Sequence, residues 1–259
     1  MNPADRPLHA AQFLLGLRAS GPRPSSLPPE LSPQSEPEAY PVQREVARAL
    51  GAQAGAWKVA MSRDDQGTSA PIFERDVYAS PARVPCRDGD SLGIEPEVAF
   101  RLRRDLAPLP GGARYQREQL IEAIDAAYAA IEIVVSRFQS HDGAAPLDRL
   151  ADNISNGGLV LGAPCHDWRA LDLRTVPLRL TMQAADGTRT QHASRGGHPL
   201  GDPIAALLWL VNDRAHGGTG LRAGELVTTG SYAGLRYAPR GMRVSAEFAG
   251  LGTTTLEVS

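Results

Sequence analysis

Most of the chain after residue 54 consists of short apolar or alternating runs separated by turn residues, a pattern typical of β-strands. The predicted strands cover residues 55–61, 95–100, 131–135, 159–162, 171–183, 189–193, 225–229, 242–248 and 253–258. Asp186-Gly187, between two of these runs, is a hairpin signal because both residue types favour tight turns. The pattern therefore predicts many short strands in one large sheet system.

Four segments carry apolar residues at helical spacing and are predicted to be helices. They cover residues 8–17, 42–50, 117–128 and 203–216. The last is the clearest, because Asp202 can cap the first turn and Pro203 suits the first helical position. Residues 21–41 are rich in proline and serine, so we predict an extended connector there and no regular helix. Since strands are numerous and do not alternate strictly with helices, the predicted fold class is α+β with a mixed sheet.

The composition excludes several classes of function. The chain has 259 residues, is 42% hydrophobic and carries a formal net charge of −2, so it can bury a core but has no basic surplus for nucleic acid or an anionic membrane. No run approaches the roughly 18 apolar residues of a membrane span, and residues 1–10 lack the apolar core of a signal peptide. Cys86 and Cys165 form no ligand motif; a single disulfide stays open, and a reducing cytoplasm is the expected compartment.

Three glutamates lie inside apolar runs, where an ionised carboxylate needs compensation. Glu95 and Glu97 belong to the run 94–100, and Glu132 belongs to the run 130–135. In a strand, residues two apart share a face, so Glu95 and Glu97 would point the same way and need a cation between them. A third carboxylate from a neighbouring strand would complete an all-oxygen site for Mg²⁺ or Mn²⁺. From spacing alone the alternative is a solvated strand face, and the apolar neighbours argue against it.

Of the 27 basic residues in the chain, only Lys58 is a lysine. A GC-rich coding sequence would account for the general preference for arginine, and chance retention on an exposed strand face is one interpretation of Lys58. Arginine cannot replace lysine, however, where the protein requires the compact and titratable amine of lysine. Lys58 lies in the apolar run 55–61, and burial lowers a lysine pKa, which suits proton transfer or stabilisation of an enolate. We therefore expect Lys58 to be catalytic.

Seven collinear segments together resemble the fumarylacetoacetate hydrolase superfamily, specifically its 2-keto-4-pentenoate hydratase and 4-oxalocrotonate decarboxylase branch. They include Ala-Trp-Lys-Val, Ile-Glu-Pro-Glu-Val, Asp-Asn-Ile-Ser and Thr-Thr-Gly-Ser. The segments lie at residues 39–43, 56–59, 94–100, 130–137, 151–155, 201–203 and 221–231. One such match would be weak, whereas seven in the family's order are specific.

The resemblance implies a rolled, mixed β-sheet core with flanking helices, like the fumarylacetoacetate hydrolase C-terminal domain, and a homo-oligomer. We expect an N-terminal helical and extended segment over residues 1–50 and a catalytic metal-binding domain over residues 51–259.

The resemblance also implies roles for individual residues. Glu95, Glu97 and Glu132 are expected to hold Mg²⁺ or Mn²⁺, and Lys58 matches the family's active-site lysine. The other expected catalytic groups are Asp152 and Ser155 of the Asp-Asn-x-Ser motif. The expected substrate-binding groups are Asn153 of the same motif, Arg137, and the consecutive residues Thr229, Gly230 and Ser231. For Ser155, turn formation by the Asp-Asn-x-Ser segment is an equally open reading.

Three departures from the family pattern bear on substrate identity. Many relatives carry aspartate where this chain has Val135. The usual turn after the lysine strand is replaced by Ala60-Met61-Ser62 and then Arg63, which is a candidate for binding an additional acidic group. Residues 231–234, Ser-Tyr-Ala-Gly, also differ from the commoner small-residue version.

The function implied is a metal-dependent hydratase of 2-hydroxy-2,4-dienoates, with an enolate stabilised by the metal as the intermediate. Its rival is the decarboxylase of the same branch, which needs a second cationic pocket for a distal carboxylate, with Arg63 or Arg137 as candidates. A third hypothesis is an acylpyruvate C–C hydrolase, and a fourth is a non-catalytic subunit supporting an active partner. The hydrolase usually requires a histidine–glutamate pair, but none of the six histidines lies in an assignable motif, and each is expected to be a loop or surface residue.

Overall fold

The computed structural model describes residues 5–19, 21–62, 64–194 and 197–259 of the chain. Within these ranges the α-helices are α1 (Arg6–Ala19), α2 (Glu36–Ala49), α3 (Arg117–Ala123), α4 (Pro146–Ala151) and α5 (Pro203–His216). The strands are β1 (Ala54–Met61), β2 (Gly67–Phe73), β3 (Val77–Ala79), β4 (Ala82–Val84), β5 (Ser91–Leu102), β6 (Ile124–Val134), β7 (Asn156–Cys165), β8 (Leu178–Gln183), β9 (Arg189–Ser194), β10 (Leu226–Ser231), β11 (Arg236–Pro239), β12 (Arg243–Phe248) and β13 (Gly252–Val258).

The strands form two mixed sheets. The larger sheet has the order β2-β1-β10-β5-β6-β7-β3, and β11 pairs with the first part of β5. Its central pair is antiparallel, whereas β1 runs parallel to β10. The smaller sheet has the order β4-β13-β12-β8-β9. This arrangement confirms the predicted α+β fold with a mixed sheet.

Apolar clusters pack around the larger sheet. The main cluster lies between the two sheets and under α5, with Phe100 and Phe248 among its fully buried members. Another cluster joins α1, α2 and α4 to the larger sheet, where Phe138 is fully buried. A smaller cluster includes Ala56 of β1, Ala99 of β5 and Ala130 of β6.

The helix α2 begins before the point predicted from the proline-rich segment. It starts at Glu36, so residues 36–41 are helical and the prediction of an extended connector as far as residue 41 was wrong. Pro37 lies in the first turn, where a backbone N–H has no intrahelical partner to lose. Pro41 removes one hydrogen bond further in, and burial of Ala39, Val42 and Val46 against the neighbouring helices offsets that loss.

The helix α3 ends before the point predicted from its apolar spacing. It stops at Ala123, and the residues from Ile124 to Tyr128, predicted to be helical, form the start of β6. There they pair with β5, with Tyr128 opposite Ala99 and Ala127 opposite Phe100. Helical and buried-strand patterns look alike in a short apolar run, and pairing along the whole of β5 decided in favour of the strand. Similarly, β8 begins at Leu178 and not at residue 171.

The N-terminal segment shares its core with the rest of the protein. Ala10, Leu14 and Val42 pack in the same cluster as Phe138 and Ile154. The two cysteines, Cys86 and Cys165, are both free thiols. Among the described residues, no helix is both long enough and apolar enough to cross a membrane.

Candidate metal and substrate site

Glu95, Glu97 and Glu132 meet on two adjacent strands of the larger sheet. Glu95 of β5 lies directly opposite Glu132 of β6 in the antiparallel register, and Glu97 follows two residues along the same face. Carboxylate oxygens of the three residues lie within 4.8 Å of one another. Glu97 and Glu132 are buried and Glu95 is half-buried. The period-two spacing in the sequence thus produces one compact cluster of oxygen ligands.

The electrostatics of the cluster call for a cation. Burial, followed by the charge of Glu132, raises the pKa of Glu95 to about 7. Burial and the charges of Glu132 and Glu95 also raise the pKa of Glu97 well above its usual range. Three crowded carboxylates resist full ionisation without a counter-charge, and an all-oxygen set suits a hard divalent ion such as Mg²⁺ or Mn²⁺. The residues present therefore fit a divalent metal.

Lys58 reaches this cluster from β1. Its Nζ forms an ion pair with Glu132 Oε1 and donates a second hydrogen bond to the carbonyl of Ile154 at 2.9 Å. Lys58 is 4% exposed, which excludes a solvent-facing position for this amine. Because a guanidinium would need more space and more acceptors, the only lysine of the chain stands where a compact ammonium fits.

Strand β10 lies between β1 and β5 and supplies hydrogen bonds to the carboxylates. Thr228 Oγ1 donates to Glu132 Oε2 at 3.2 Å, and the Gly230 amide donates to Glu97 Oε2 at 2.9 Å. The pairing of β10 with β5 is irregular between Thr228 and Ser231, which turns the Gly230 amide toward Glu97. Gly230 has φ +121°, and an added Cβ would lie 3.3 Å from His198 Nε2, so glycine is required here.

The Asp-Asn-x-Ser segment forms a strained turn beside Lys58. Asn153, Ile154 and Ser155 all have positive φ values, of 54°, 51° and 55°. For a β-branched residue such as Ile154 this conformation is a genuine outlier, which the surrounding contacts must enforce. The turn presents the Ile154 carbonyl to Lys58 and the Ser155 hydroxyl to Nδ1 of His141, at 3.0 Å.

A buried arginine–aspartate network enforces this turn. Arg137 Nε donates to Asp152 Oδ1 at 2.5 Å, and the guanidinium also binds the carbonyls of Asp152 and Asn156. Arg18 of α1 donates to Asn153 Oδ1 at 3.4 Å and lies 3.8 Å from Asp152 Oδ1. Burial and the charge of Arg137 lower the pKa of Arg18 to about 9. The predicted site residues Asp152, Asn153 and Arg137 therefore lie behind the turn and do not line the carboxylate cavity.

The carboxylates open into a cavity of about 230 Å³. Its polar lining includes the three glutamates, Lys58, Thr229 and Ser231. Its apolar lining, called the apolar wall below, consists of Val59, Ala60, Met61, Pro199 and Leu200. Among the described residues no arginine lines this cavity. Thr229, Gly230 and Ser231, predicted to bind substrate, lie in the lining.

Two histidines near the cavity were not foreseen from the sequence. His141 lines the cavity from the loop between β6 and α4, and burial and the charges of Arg149 and Lys58 lower its pKa to about 4. His198 is buried, and its Nε2 lies 2.6 Å from the Thr229 carbonyl. Both are loop residues, which agrees with the expectation of a loop or surface position, although His198 is buried and His141 is half-buried. The signal available in the sequence was only that each lies a few residues from a recognisable motif.

The departures from the family pattern lie in different places. Val135 lines a second cavity, of about 440 Å³, on the Arg18 and Arg137 side of the strained turn. Ala60 and Met61 contribute to the apolar wall of the carboxylate cavity, and Tyr232 is buried with its hydroxyl bound to the Leu173 carbonyl at 2.7 Å. Arg63, the candidate for binding a distal carboxylate, lies outside the described residues.

Comparison with known proteins places this site in a family. A family profile described as Fumarylacetoacetate (FAA) hydrolase C-terminal matches residues 47–259. A 2-keto-4-pentenoate hydratase from Burkholderia vietnamiensis is 30% identical over 209 residues, which are 80% of this chain and 76% of that protein. A TodF product hydratase from Pseudomonas putida F1 is 30% identical, over 80% of this chain and 75% of that protein. Among solved structures, 4-oxalocrotonate decarboxylase from Pseudomonas putida G7, complexed with magnesium and adipate, superposes with a TM-score of 0.82 at 20% identity, covering 99% and 98% of the two chains.

Proposed function

The chain belongs to the fumarylacetoacetate hydrolase C-terminal family, and we propose that it is a hydro-lyase that adds water to 2-hydroxy-2,4-dienoates of the 2-keto-4-pentenoate type. The named hydratases that share about 30% identity with most of this chain support the reaction class. The carboxylate cluster, Lys58 and the apolar wall together support the substrate class.

Glu95, Glu97 and Glu132 would hold the divalent cation, Mg²⁺ or Mn²⁺. When bound, that cation would supply Lewis-acid polarisation of the 2-oxo group of the substrate. Among the protein groups, Lys58 places a positive charge beside the cluster. The Ser231 hydroxyl can bind the carboxylate end of the substrate if it releases the Gly234 carbonyl, whereas the buried Thr229 hydroxyl donates to the Val98 carbonyl at 3.0 Å. The apolar residues of the cavity would contact the hydrocarbon end, where the water that adds to the substrate must also be admitted.

The single observation that favours a hydratase over a decarboxylase is that no arginine lines the described part of the cavity. A decarboxylase of 4-oxalocrotonate type must compensate a second carboxylate, whereas an uncharged alkenyl end needs no such cation. Arg137, one of the two arginines proposed for that role, is held by Asp152 on the other side of the strained turn. The described part of the cavity therefore fits a monocarboxylic dienoate.

The proposal is tested by following the ultraviolet absorbance of 2-hydroxypenta-2,4-dienoate with the purified protein and Mg²⁺, and with EDTA in a parallel sample. We expect Mg²⁺-dependent loss of the dienol and formation of 4-hydroxy-2-oxopentanoate. The variant Glu97→Gln, which removes one ligand charge, should lose both activity and Mg²⁺ affinity. Activity of Glu97→Gln equal to that of the unmodified protein would contradict the metal assignment.

Parallel assays with two other substrates separate the alternative functions. Release of CO₂ from 4-oxalocrotonate without turnover of the dienoate would identify a decarboxylase. Cleavage of an acylpyruvate would identify a C–C hydrolase, for which His141 now offers a base at the cavity. Absence of turnover with all three substrates, with Mg²⁺ still bound, would favour a non-catalytic partner subunit.

Two further features belong to this proposal. A cytoplasmic location is supported by the free thiols of Cys86 and Cys165, which are typical of a reducing compartment. A homo-oligomer, which the family resemblance implied, is tested by light scattering of the purified chain.

A further inference from the structure

His141 is a titratable group at the cavity that neither the carboxylate cluster nor Lys58 requires. It lies in the loop before α4, and its backbone carbonyl accepts a hydrogen bond from Arg149 Nη1 of that helix at 3.2 Å. The side chain is half-buried and lines the cavity that holds Glu95, Glu97 and Glu132. The backbone of His141 is therefore held by Arg149, while its side chain is accessible from the cavity.

Ser155 fixes the orientation of the imidazole ring. The fully buried Ser155 Oγ lies 3.0 Å from Nδ1 of His141. Ser155 is the third residue of the strained turn, so this hydroxyl is presented from an unfavourable backbone conformation that Asp152 and Arg137 enforce. With Nδ1 engaged at the back of the ring, Nε2 is the nitrogen left for the cavity. A hydrogen bond to one ring nitrogen selects the tautomer and so the role of the other.

We propose that His141 is the acceptor for the proton of the water that adds to the substrate, with Ser155 holding the ring as the Nδ1–H tautomer. This inference rests on the proposed hydratase function. It assigns the water-activating role to a residue that the sequence pattern did not reveal, and it leaves Lys58 free to act on the charge that develops at the oxo end.

The addition step balances as follows. In the conjugated enone, 2-oxopent-3-enoate, the water oxygen bonds to C4 while the C3–C4 π electrons move toward the oxo group. One proton of the water passes to Nε2 of His141, and the other stays on the new hydroxyl. The imidazolium then returns its proton to C3, the 2-oxo group is restored, and the ring is neutral again. The product is 4-hydroxy-2-oxopentanoate, with no net oxidation or reduction.

The charge state of His141 suits this role. Burial and the neighbouring cations Arg149 and Lys58 lower its pKa to about 4, so the ring is neutral at neutral pH and has one unprotonated nitrogen. The same shift makes it a weaker base than an ordinary histidine. Asp142, the next residue, opposes this shift and would stabilise the transient imidazolium.

The test uses His141→Asn in D₂O with Mg²⁺ and 2-hydroxypenta-2,4-dienoate, followed by proton NMR. An asparagine can reproduce the Nδ1 contact to Ser155 but has no group at the Nε2 position. We expect the variant to convert the dienol to C5-deuterated 2-oxopent-3-enoate at the rate of the unmodified protein and to hydrate it at least about 100-fold more slowly. His166→Asn, at an exposed histidine paired with Asp125, is the matched control and should hydrate normally.

Each outcome decides the inference. Hydration by His141→Asn at the unmodified rate would overturn it while leaving the hydratase function in place. Equal slowing of both steps would also overturn it, because His141 would then support the site as a whole. Failure of the unmodified protein to convert the dienol would overturn the hydratase function and this inference together. Calorimetric titration with Mg²⁺ verifies that the metal site of His141→Asn is folded. If that variant does not bind Mg²⁺, His141→Gln is used in its place.

Discussion

At the scale of single residues, the buried pair of Lys58 and Glu132 links the amine to the carboxylate cluster. The cation neutralises part of a crowded negative site, and the carboxylate holds the amine beside the cavity. Neither side chain is satisfied by solvent, since both are almost fully buried. Removing either partner therefore leaves a buried charge on the other.

Replacing Lys58 by methionine should separate catalysis from metal binding. We expect turnover to fall at least about 100-fold, because the proton-transferring and charge-stabilising amine is lost. Mg²⁺ affinity should be retained or increased, because a positive charge next to the carboxylates is removed. Steady-state kinetics and calorimetric Mg²⁺ titration measure the two effects. Full turnover by Lys58→Met would remove Lys58 from the catalytic groups while the metal assignment stood.

The raised pKa values of Glu95 and Glu97 predict that Mg²⁺ stabilises the protein more at pH 8 than at pH 5.5. A carboxyl whose pKa rises on folding from its ordinary 4.5 to about 7 stabilises the protein below pH 4.5 and loses this contribution as the pH rises through 7. The metal-free protein is thus destabilised at alkaline pH, because the three ionised carboxylates repel one another. At that pH Mg²⁺ binds without having to displace protons, so its stabilising effect is larger. The measurement is the shift in Tm on adding Mg²⁺ at each pH.

The Mg²⁺-induced shift is the quantity to compare, because other groups change the absolute stability. His141, with its pKa lowered to about 4, contributes stability that is lost as the pH falls below its ordinary value of 6.5. Glu97→Gln should show a smaller Mg²⁺-induced shift at both pH values, because the site has lost one carboxylate ligand. Equal Mg²⁺ shifts at pH 5.5 and pH 8 in the unmodified protein would contradict the assignment.

Among the residues that line the cavity, the three glutamates and the lysine follow most directly from the sequence. Glu95, Glu97, Glu132 and Lys58 could be found because a charge inside an apolar run is costly and so implies a purpose. His141 could not, because its approach to the cavity depends on the path of a loop that has no periodic pattern. The role of Ser155 was left open between turn formation and chemistry, and its geometry shows the turn while its hydroxyl faces His141.

At the scale of elements, the strained turn depends on a helix distant in sequence. Arg18 near the end of α1 contacts Asn153, and Asn153 precedes the Ile154 carbonyl that binds Lys58. The helix α1 lies outside residues 47–259, the range that the family profile matches. An N-terminal element therefore supports the position of the Lys58 amine.

Arg18→Met should lower turnover about 10-fold, an effect typical of residues that orient a catalytic group through one neighbour. The matched control is Arg6→Met on the same helix, where the exposed Arg6 pairs with Glu38 at 2.8 Å and is far from the turn. We expect Arg6→Met to keep full turnover. Comparing kcat and Tm of the two variants separates positioning from general loosening of α1, and equal turnover in both would contradict the coupling.

Element types were predictable from the sequence where burial and local signals agreed. The Asp202 cap and Pro203 marked the start of α5 correctly, and the Asp202 side chain accepts the Ile204 amide at 3.0 Å. The limits of α2 and α3 were wrong because contacts from distant segments overrode the local pattern: helix packing extended α2 to Glu36, and pairing with β5 converted Ile124–Tyr128 to strand.

At the scale of the whole molecule, the predicted boundary at residue 50 divides a shared core. The helices α1 and α2 cover Ala70, Phe73, Phe138 and Ile154, which would be exposed in a chain that began at residue 51. We expect such a truncated chain to bind the dye ANS and to lose turnover, because the strained turn loses both its cover and Arg18. Near-ultraviolet circular dichroism and dye binding check this. A truncated chain that stays folded and active would make residues 51–259 a self-sufficient domain.

The fold class and the family were predictable from the sequence as a whole, because seven collinear segments carry both. The family profile and the hydratase relatives confirm that prediction. Substrate identity was less accessible, because part of the cavity lining comes from residues 60–61, where the chain departs from the family pattern, and from residues 199–200, which lie in none of the matching segments.

The glutamates of the cavity lie on central strands, whereas part of its apolar lining comes from a loop, and this difference has an evolutionary consequence. The pairing of Glu95 with Glu132 is locked by the register of two central strands, so few mutations can alter it without breaking the sheet. Leu200, in a loop, carries no such register constraint. Substitutions at a loop position of this kind can therefore change which substrate tail the cavity accepts while the reactive end is inherited unchanged.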